Sequence, residues 1–147
     1  IHLVIAGVGP QFDKIKKYII TNSLERNISL IGFCEKMEDI YTFSDVIVFP
    51  SLWSSGLPMV AVEASQFNNA LITSDIFGIE EFIQDDENGL LFKSNSYIDL
   101  AKKILQLKNN PQQRDRLANN IQEYVIKHFS QQECSQKYRR LYQELLL

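Results

Sequence analysis

Val46-Ile47-Val48-Phe49-Pro50-Ser51-Leu52-Trp53-Ser54-Ser55-Gly56-Leu57-Pro58-Met59-Val60-Ala61-Val62-Glu63-Ala64 reads as a strand, a loop and the opening of a helix. β-Branched and aromatic residues at 46–49 favour a pleated, buried strand. Pro50 stops it, because it has no N–H to give to a ladder. The loop is rich in small residues, and Pro58 fits the first turn of a helix over about 58–67, where a missing N–H costs nothing. A second apolar run, Ala70-Leu71-Ile72-Thr73, follows at once. Strand, helix and strand in that order imply parallel pairing with a right-handed crossover.

The same alternation extends in both directions. Upstream, Ile1 to Ala6 is a buried-strand run ended by Gly7-Val8-Gly9-Pro10. Residues 11–23 carry Phe12, Ile15, Ile19 and Ile20 at helical spacing. Ile28 to Ile31 is another strand, closed by Gly32, and residues 36–43 form a short helix. Downstream, Leu90-Leu91-Phe92 follows the turn Asn88-Gly89. The remainder is helical: about 96–108, a break at Asn109-Asn110-Pro111, a helix to about 127, and a last one over 131–146 with Ser130 as its N-cap. The strands are apolar on both faces, as in sheets covered on both sides. The expected fold is α/β: a Rossmann-like parallel sheet with helices on both faces and a helical C-terminal tail, forming one domain over residues 1–147.

Bulk properties exclude several function classes. The 147 residues suit one core, and a 45% apolar, 22% charged composition is that of a globular protein. The net charge of −3 argues against a nucleic-acid partner. Lys137, Arg139 and Arg140 are sparse enough to be a solvated helix face. Cys34 and Cys134 have neither metal-ligand spacing nor a disulfide framework, which points to a reducing, cytoplasmic setting. No apolar run is long enough to span a bilayer. The chain opens at Ile1, inside a strand, and so reads as a fragment of a longer protein.

Ligands of such sheets bind at the carboxyl ends of the strands. Gly7-Val8-Gly9-Pro10 either lets backbone approach a phosphate or makes a tight turn; the third glycine of a dinucleotide fingerprint is replaced by Phe12, which argues against an NAD domain. At Gly56 to Val60, free amides of a helix N-terminus favour an anion. Glu63 stands among Val60, Ala61, Val62 and Ala64, where an acid is costly to bury without a partner. Its carboxylate can accept from both hydroxyls of a ribose diol, or bond to a loop backbone. Phe77-Gly78-Ile79-Glu80-Glu81 reads as a helix N-terminus with acids in its first turn, or as a further ligand loop. Ser51 has no glycine elbow and no base beside it, so it is no serine nucleophile. His2 and His128 read as packing or capping residues.

The segment from Pro50 to Ala64 resembles the signature of family 4 retaining glycosyltransferases, whose GT-B fold pairs two Rossmann-like domains. The Gly56-Leu57-Pro58 variant is similar to members that build bacterial O-antigens, capsules and exopolysaccharides. The resemblance covers nearly the whole chain: the glycine turn after Ala6, the strand leading to Phe33, Tyr41-Thr42-Phe43-Ser44-Asp45-Val46, and Asn88-Gly89-Leu90-Leu91-Phe92. It implies that Glu63 holds the nucleotide ribose, that Phe33 and Cys34 receive the base on backbone groups, and that Glu81 and the segment Gly56, Leu57, Pro58, Met59 and Val60 contact the donor with Gly7. Ser55 stands where the family has its first, sugar-orienting glutamate. A serine can bond a sugar hydroxyl directly or through water but brings no charge.

The resemblance further implies a nucleotide-diphosphate sugar as donor, UDP-linked by analogy with polysaccharide assembly, with no obligatory metal and no other cofactor. Neutralising the leaving diphosphate requires placed positive charge, and the family's Arg and Lys for this lie before the first strand; here no Arg or Lys precedes Lys14. The acceptor, a saccharide or lipid-linked oligosaccharide, would sit on a missing N-terminal domain of the same chain, with peripheral contact at the inner face of the plasma membrane open to the full-length protein. The fragment alone is expected to bind donor and transfer nothing. Two rivals stay open: a sugar-nucleotide epimerase of the same architecture, which would need paired carboxylates and a histidine, and a non-catalytic degenerate domain, to which Ser55 points.

Overall fold

The computed structural model describes residues 1–53 and 59–146. The chain divides into two compact units, Ile1–Asp39 and the residues from Ile40 onward.

In the first unit, β1 (Leu3–Ala6) pairs in parallel with β2 (Ile28–Gly32), from Leu3 opposite Ile28 to Ala6 opposite Gly32. Parallel neighbours need a crossover, supplied by α1 (Phe12–Thr21). Ile19 is buried and Phe12 and Ile15 are half-buried, but Ile20 is 55% exposed, so the apolar stripe is narrower than the sequence suggests. The strand also begins two residues later than expected, leaving His2 outside it. Leu3 and Val4 are 44% and 40% exposed, so β1 within its unit is not covered on both faces. Gly7, at φ 128°, turns the chain out of β1. A side chain there would meet no other atom, so backbone conformation rather than crowding calls for glycine.

The second unit holds a parallel sheet ordered β3 (Val46–Phe49), β4 (Ala70–Asp75) and β5 (Leu90–Lys93). Val46 lies opposite Ala70, and Ile72 opposite Leu90. α2 (Met37–Phe43) precedes β3, and α3 (Met59–Ser65) links β3 to β4. Alternation sends Ala70 and Ile72 to one face and Leu71 and Thr73 to the other. All four are buried, so the central strand is enclosed on both faces, as its unbroken apolar run requires. Ala70, Ile72, Leu90 and Phe92 pack with Leu107, Leu117 and Ala118 of α4 (Tyr97–Asn109) and α5 (Pro111–Phe129). Each such Leu or Phe contributes about 1.5–3 kcal/mol by leaving water.

The helix ends follow the expected chemistry. Ser96 Oγ accepts from the Asp99 amide at 3.3 Å, and Asn110 Oδ1 accepts from the Gln113 amide at 3.1 Å, immediately before Pro111. Ser130 Oγ accepts from the Glu133 amide at 3.3 Å and opens α6 (Gln131–Leu145). Lys137, Arg139 and Arg140 are exposed on α6, a solvated face as expected. Among the described residues, no helix is long and apolar enough to cross a membrane.

Candidate functional site

The loops that follow β3 and β4 leave the same edge of the sheet, because the strands are parallel. Ser74, buried at the end of β4, donates to the carbonyl of Ser51 and, at 3.5 Å, to that of Phe49. The chain leaving β3 is thereby tied to the neighbouring strand. The Ser51 backbone carbonyl is engaged in this tie. Ser55, Gly56, Leu57 and Pro58 lie outside the described residues. Met59 and Val60 open α3 and are exposed.

Glu63 sits one turn further along α3, between the buried residues Val62 and Ala64. The sequence argument makes an acid here costly to bury without a partner. The structure leaves it exposed on α3. It has a partner nonetheless: the Tyr41 phenol donates to Oε2 at 3.1 Å. Tyr41 is 2% exposed, and its ring packs against Phe67 at a centroid distance of 5.6 Å. Burial, then the hydrogen bond to Glu63 and the charge of Glu63, push this phenol up to about 12. It is therefore a neutral donor throughout the physiological range. Behind it, Asn69 is completely buried and donates from Nδ2 to the carbonyls of Tyr41, at 2.9 Å, and Ser44, at 2.5 Å.

Tyr41 and Asn69 escape a sequence-based site prediction. Tyr41 is legible only as part of the Tyr41 to Val46 resemblance, and Asn69 only as a turn residue before a strand. Nothing local marks a contact that spans two helices and 22 positions.

After β4 the chain turns at Gly78, in the left-handed region at φ 85°, into a 3-10 turn, Ile79–Glu81. The expected helix N-terminus amounts to that single turn, because buried Ile79, Phe82 and Ile83 pull the chain back inward. Glu80 and Glu81 are exposed, and the Glu81 carbonyl accepts from the Tyr124 phenol at 2.9 Å. Phe77 is almost wholly exposed.

Gly7, Phe33 and Cys34 belong to the first unit. The Gly7 amide donates to the Gly32 carbonyl at 2.6 Å, so it is spent on the turn. A cavity of about 260 Å³ opens there, lined by Ala6, Gly7, Gly9, Pro10 and Phe12 among others. A larger depression of about 380 Å³ runs beside Lys14, Tyr18 and Asn22 and holds none of the candidate residues. Phe33 is exposed, and the Cys34 thiol donates to the Lys36 carbonyl at 3.4 Å. His2, expected to pack or cap, is exposed and bonds Ser29 Oγ at 2.8 Å, whereas the His128 ring packs on Tyr124 at 4.6 Å as expected.

The profile described as "Glycosyl transferases group 1" matches residues 1–124. This chain belongs to that family. The group 1 glycosyl transferase domain is 34% identical over 144 residues to an uncharacterized glycosyltransferase of Methanocaldococcus jannaschii, covering 96% of this chain and 40% of that protein. It is 31% identical over 140 residues to the poly(ribitol-phosphate) alpha-N-acetylglucosaminyltransferase of Staphylococcus aureus, covering 94% of this chain and 28% of that protein. It superposes on the crystal structure of TarM with a TM-score of 0.86 at 29% identity, over 97% of this chain and 28% of that one. A TarM variant in complex with Fondaparinux, alpha-GlcNAc-glycerol and UDP gives a TM-score of 0.83. The chain thus spans well under half the length of these relatives.

Proposed function

We propose that this chain is the donor-binding domain of a retaining glycosyltransferase that moves a sugar from a UDP-sugar to a growing bacterial surface polysaccharide or lipid-linked oligosaccharide. The observation that carries the reading is Glu63, an exposed carboxylate in the matched segment whose Oε2 is held by a buried phenol. In this reading Glu63 accepts from the ribose hydroxyls, Ser55 to Val60 and Glu81 contact the donor, and in the first unit Gly7 lets backbone approach a phosphate while Phe33 and Cys34 receive the base on backbone groups. A UDP complex among the related structures, and a relative named for transfer to a ribitol-phosphate polymer, support donor and acceptor class. The acceptor domain lies elsewhere in the full-length protein, which works in the cytoplasm at the inner membrane face without an obligatory metal. The described chain alone binds nucleotide weakly and transfers no sugar.

Calorimetric titration of the full-length protein with UDP, GDP and ADP tests this. UDP should bind best, and Glu63→Ala should weaken it by about 10- to 100-fold, since hydrogen bonds to a charged group are worth about 1.5–3 kcal/mol. Absence of binding by all three nucleotides at millimolar concentration would overturn the proposal. Ser55 favours one second reading, a degenerate non-catalytic domain. If that reading holds, the full-length protein turns over no donor and Ser55→Glu restores nothing.

A further inference from the structure

We infer that Tyr41 is a positioning residue for the donor, holding the Glu63 carboxylate in the orientation that receives the nucleotide ribose. The inference rests on the ribose role of Glu63 given above.

The two ends of the Tyr41–Glu63 bond differ in freedom. Tyr41 is locked: its ring is buried against Phe67, and its own carbonyl is held by the buried Asn69 amide at 2.9 Å. A phenol so placed cannot swing to another acceptor. Glu63 is the loose end, an exposed side chain with three rotatable torsions on a seven-residue helix. The bond at 3.1 Å therefore orders the carboxylate rather than the phenol. Among the described residues, no other group donates to that carboxylate, and each carboxylate oxygen has more than one acceptor site. One oxygen engaged from below leaves the other, and a second lone pair on the first, for incoming hydroxyls. Groups set before a ligand arrives bind it more tightly, because less freedom is lost on binding.

A purely structural role is the competing account: the buried phenol needs an acceptor, and Glu63 is at hand. The two accounts differ in what they do to ligand discrimination. In the full-length protein, affinities for UDP and for 2′,3′-dideoxy-UDP are measured in wild type, Tyr41→Phe, Glu63→Ala and the double variant, with thermal unfolding as a check on folding. Tyr41→Phe keeps the ring and removes one hydroxyl. It should weaken UDP by about 3- to 10-fold, the size of one ordinary hydrogen bond. It should leave dideoxy-UDP within about twofold of wild type, and it should do nothing further once Glu63 is alanine. Equal weakening of both nucleotides, or UDP unchanged by Tyr41→Phe while Glu63→Ala weakens it, overturns the positioning role and leaves the ribose role standing. UDP unchanged by Glu63→Ala overturns both.

Discussion

Replacing Asn69 by alanine should destabilise the domain more than any exposed substitution of similar size. Its Nδ2 supplies a buried hydrogen bond to the Tyr41 carbonyl and a part-buried one to the Ser44 carbonyl. The Tyr41 carbonyl keeps a second donor, the Ser44 amide at 3.2 Å. Among the described residues no second backbone donor outside the helices and strands reaches the Ser44 carbonyl, so it bears the larger loss. An acceptor left unpaired where water cannot replace the donor costs about 1–3 kcal/mol, and the lost bond to Tyr41 adds about 1 more. The sum, about 2–4 kcal/mol, lowers Tm by roughly 5–15 °C in a chain of this size. Asn69→Asp is the sharper test. It keeps the shape but turns a carboxylate toward two carbonyls, so near pH 7 it should be at least as harmful as alanine. The buried carboxyl, facing acceptors, has its folded pKa raised, so stability should return as pH falls and the protonated acid regains one O–H donor. Urea unfolding followed by circular dichroism at neutral and mildly acidic pH measures both effects. An alanine variant within about 0.5 kcal/mol of wild type, the ordinary surface range, would refute the reasoning.

Gly89→Ala should cost about 1–3 kcal/mol by overpacking, because its Cβ would sit 3.0 Å from Ile83 Cγ2 and 3.3 Å from the Leu71 carbonyl. Gly9→Ala, where a Cβ meets nothing within 4 Å, is the control and should leave the urea midpoint nearly unchanged. The Tyr41 phenol, pushed up to about 12, titrates later than in the unfolded chain, where its pKa is about 10. Its contribution is fully present below the unfolded value and lost as pH rises through the folded one. Wild type should therefore lose stability faster than Tyr41→Phe above about pH 10, and identical alkaline slopes would contradict the assigned environment.

Much of this arrangement is legible in the sequence. Val46–Phe49 is a strand with the bounds its β-branched run suggests, and Pro50 ends it. Ser130, Asn110 and Pro111 mark helix boundaries because capping is local chemistry. The failures are equally physical. Ile20 has helical spacing but faces water, since periodicity gives a stripe and not its width. Gly78 to Glu81 resembles a helix start, yet the buried residues Phe82 and Ile83 close it after one turn. The sequence shows that an acid at 63 is costly to bury without a partner, but not that the partner is Tyr41, 22 positions away. The segment with Ser55, Gly56, Leu57 and Pro58, on which the family resemblance leans most, lies outside the described residues.

A crystal structure of the full-length protein with UDP bound bears most directly on the ribose role of Glu63. The account predicts a carboxylate oxygen of Glu63 about 2.5–3.0 Å from a ribose hydroxyl, ordinary O–H···O geometry, with the Tyr41 phenol still on Oε2. A ribose held by other groups, with Glu63 turned to solvent, would contradict it.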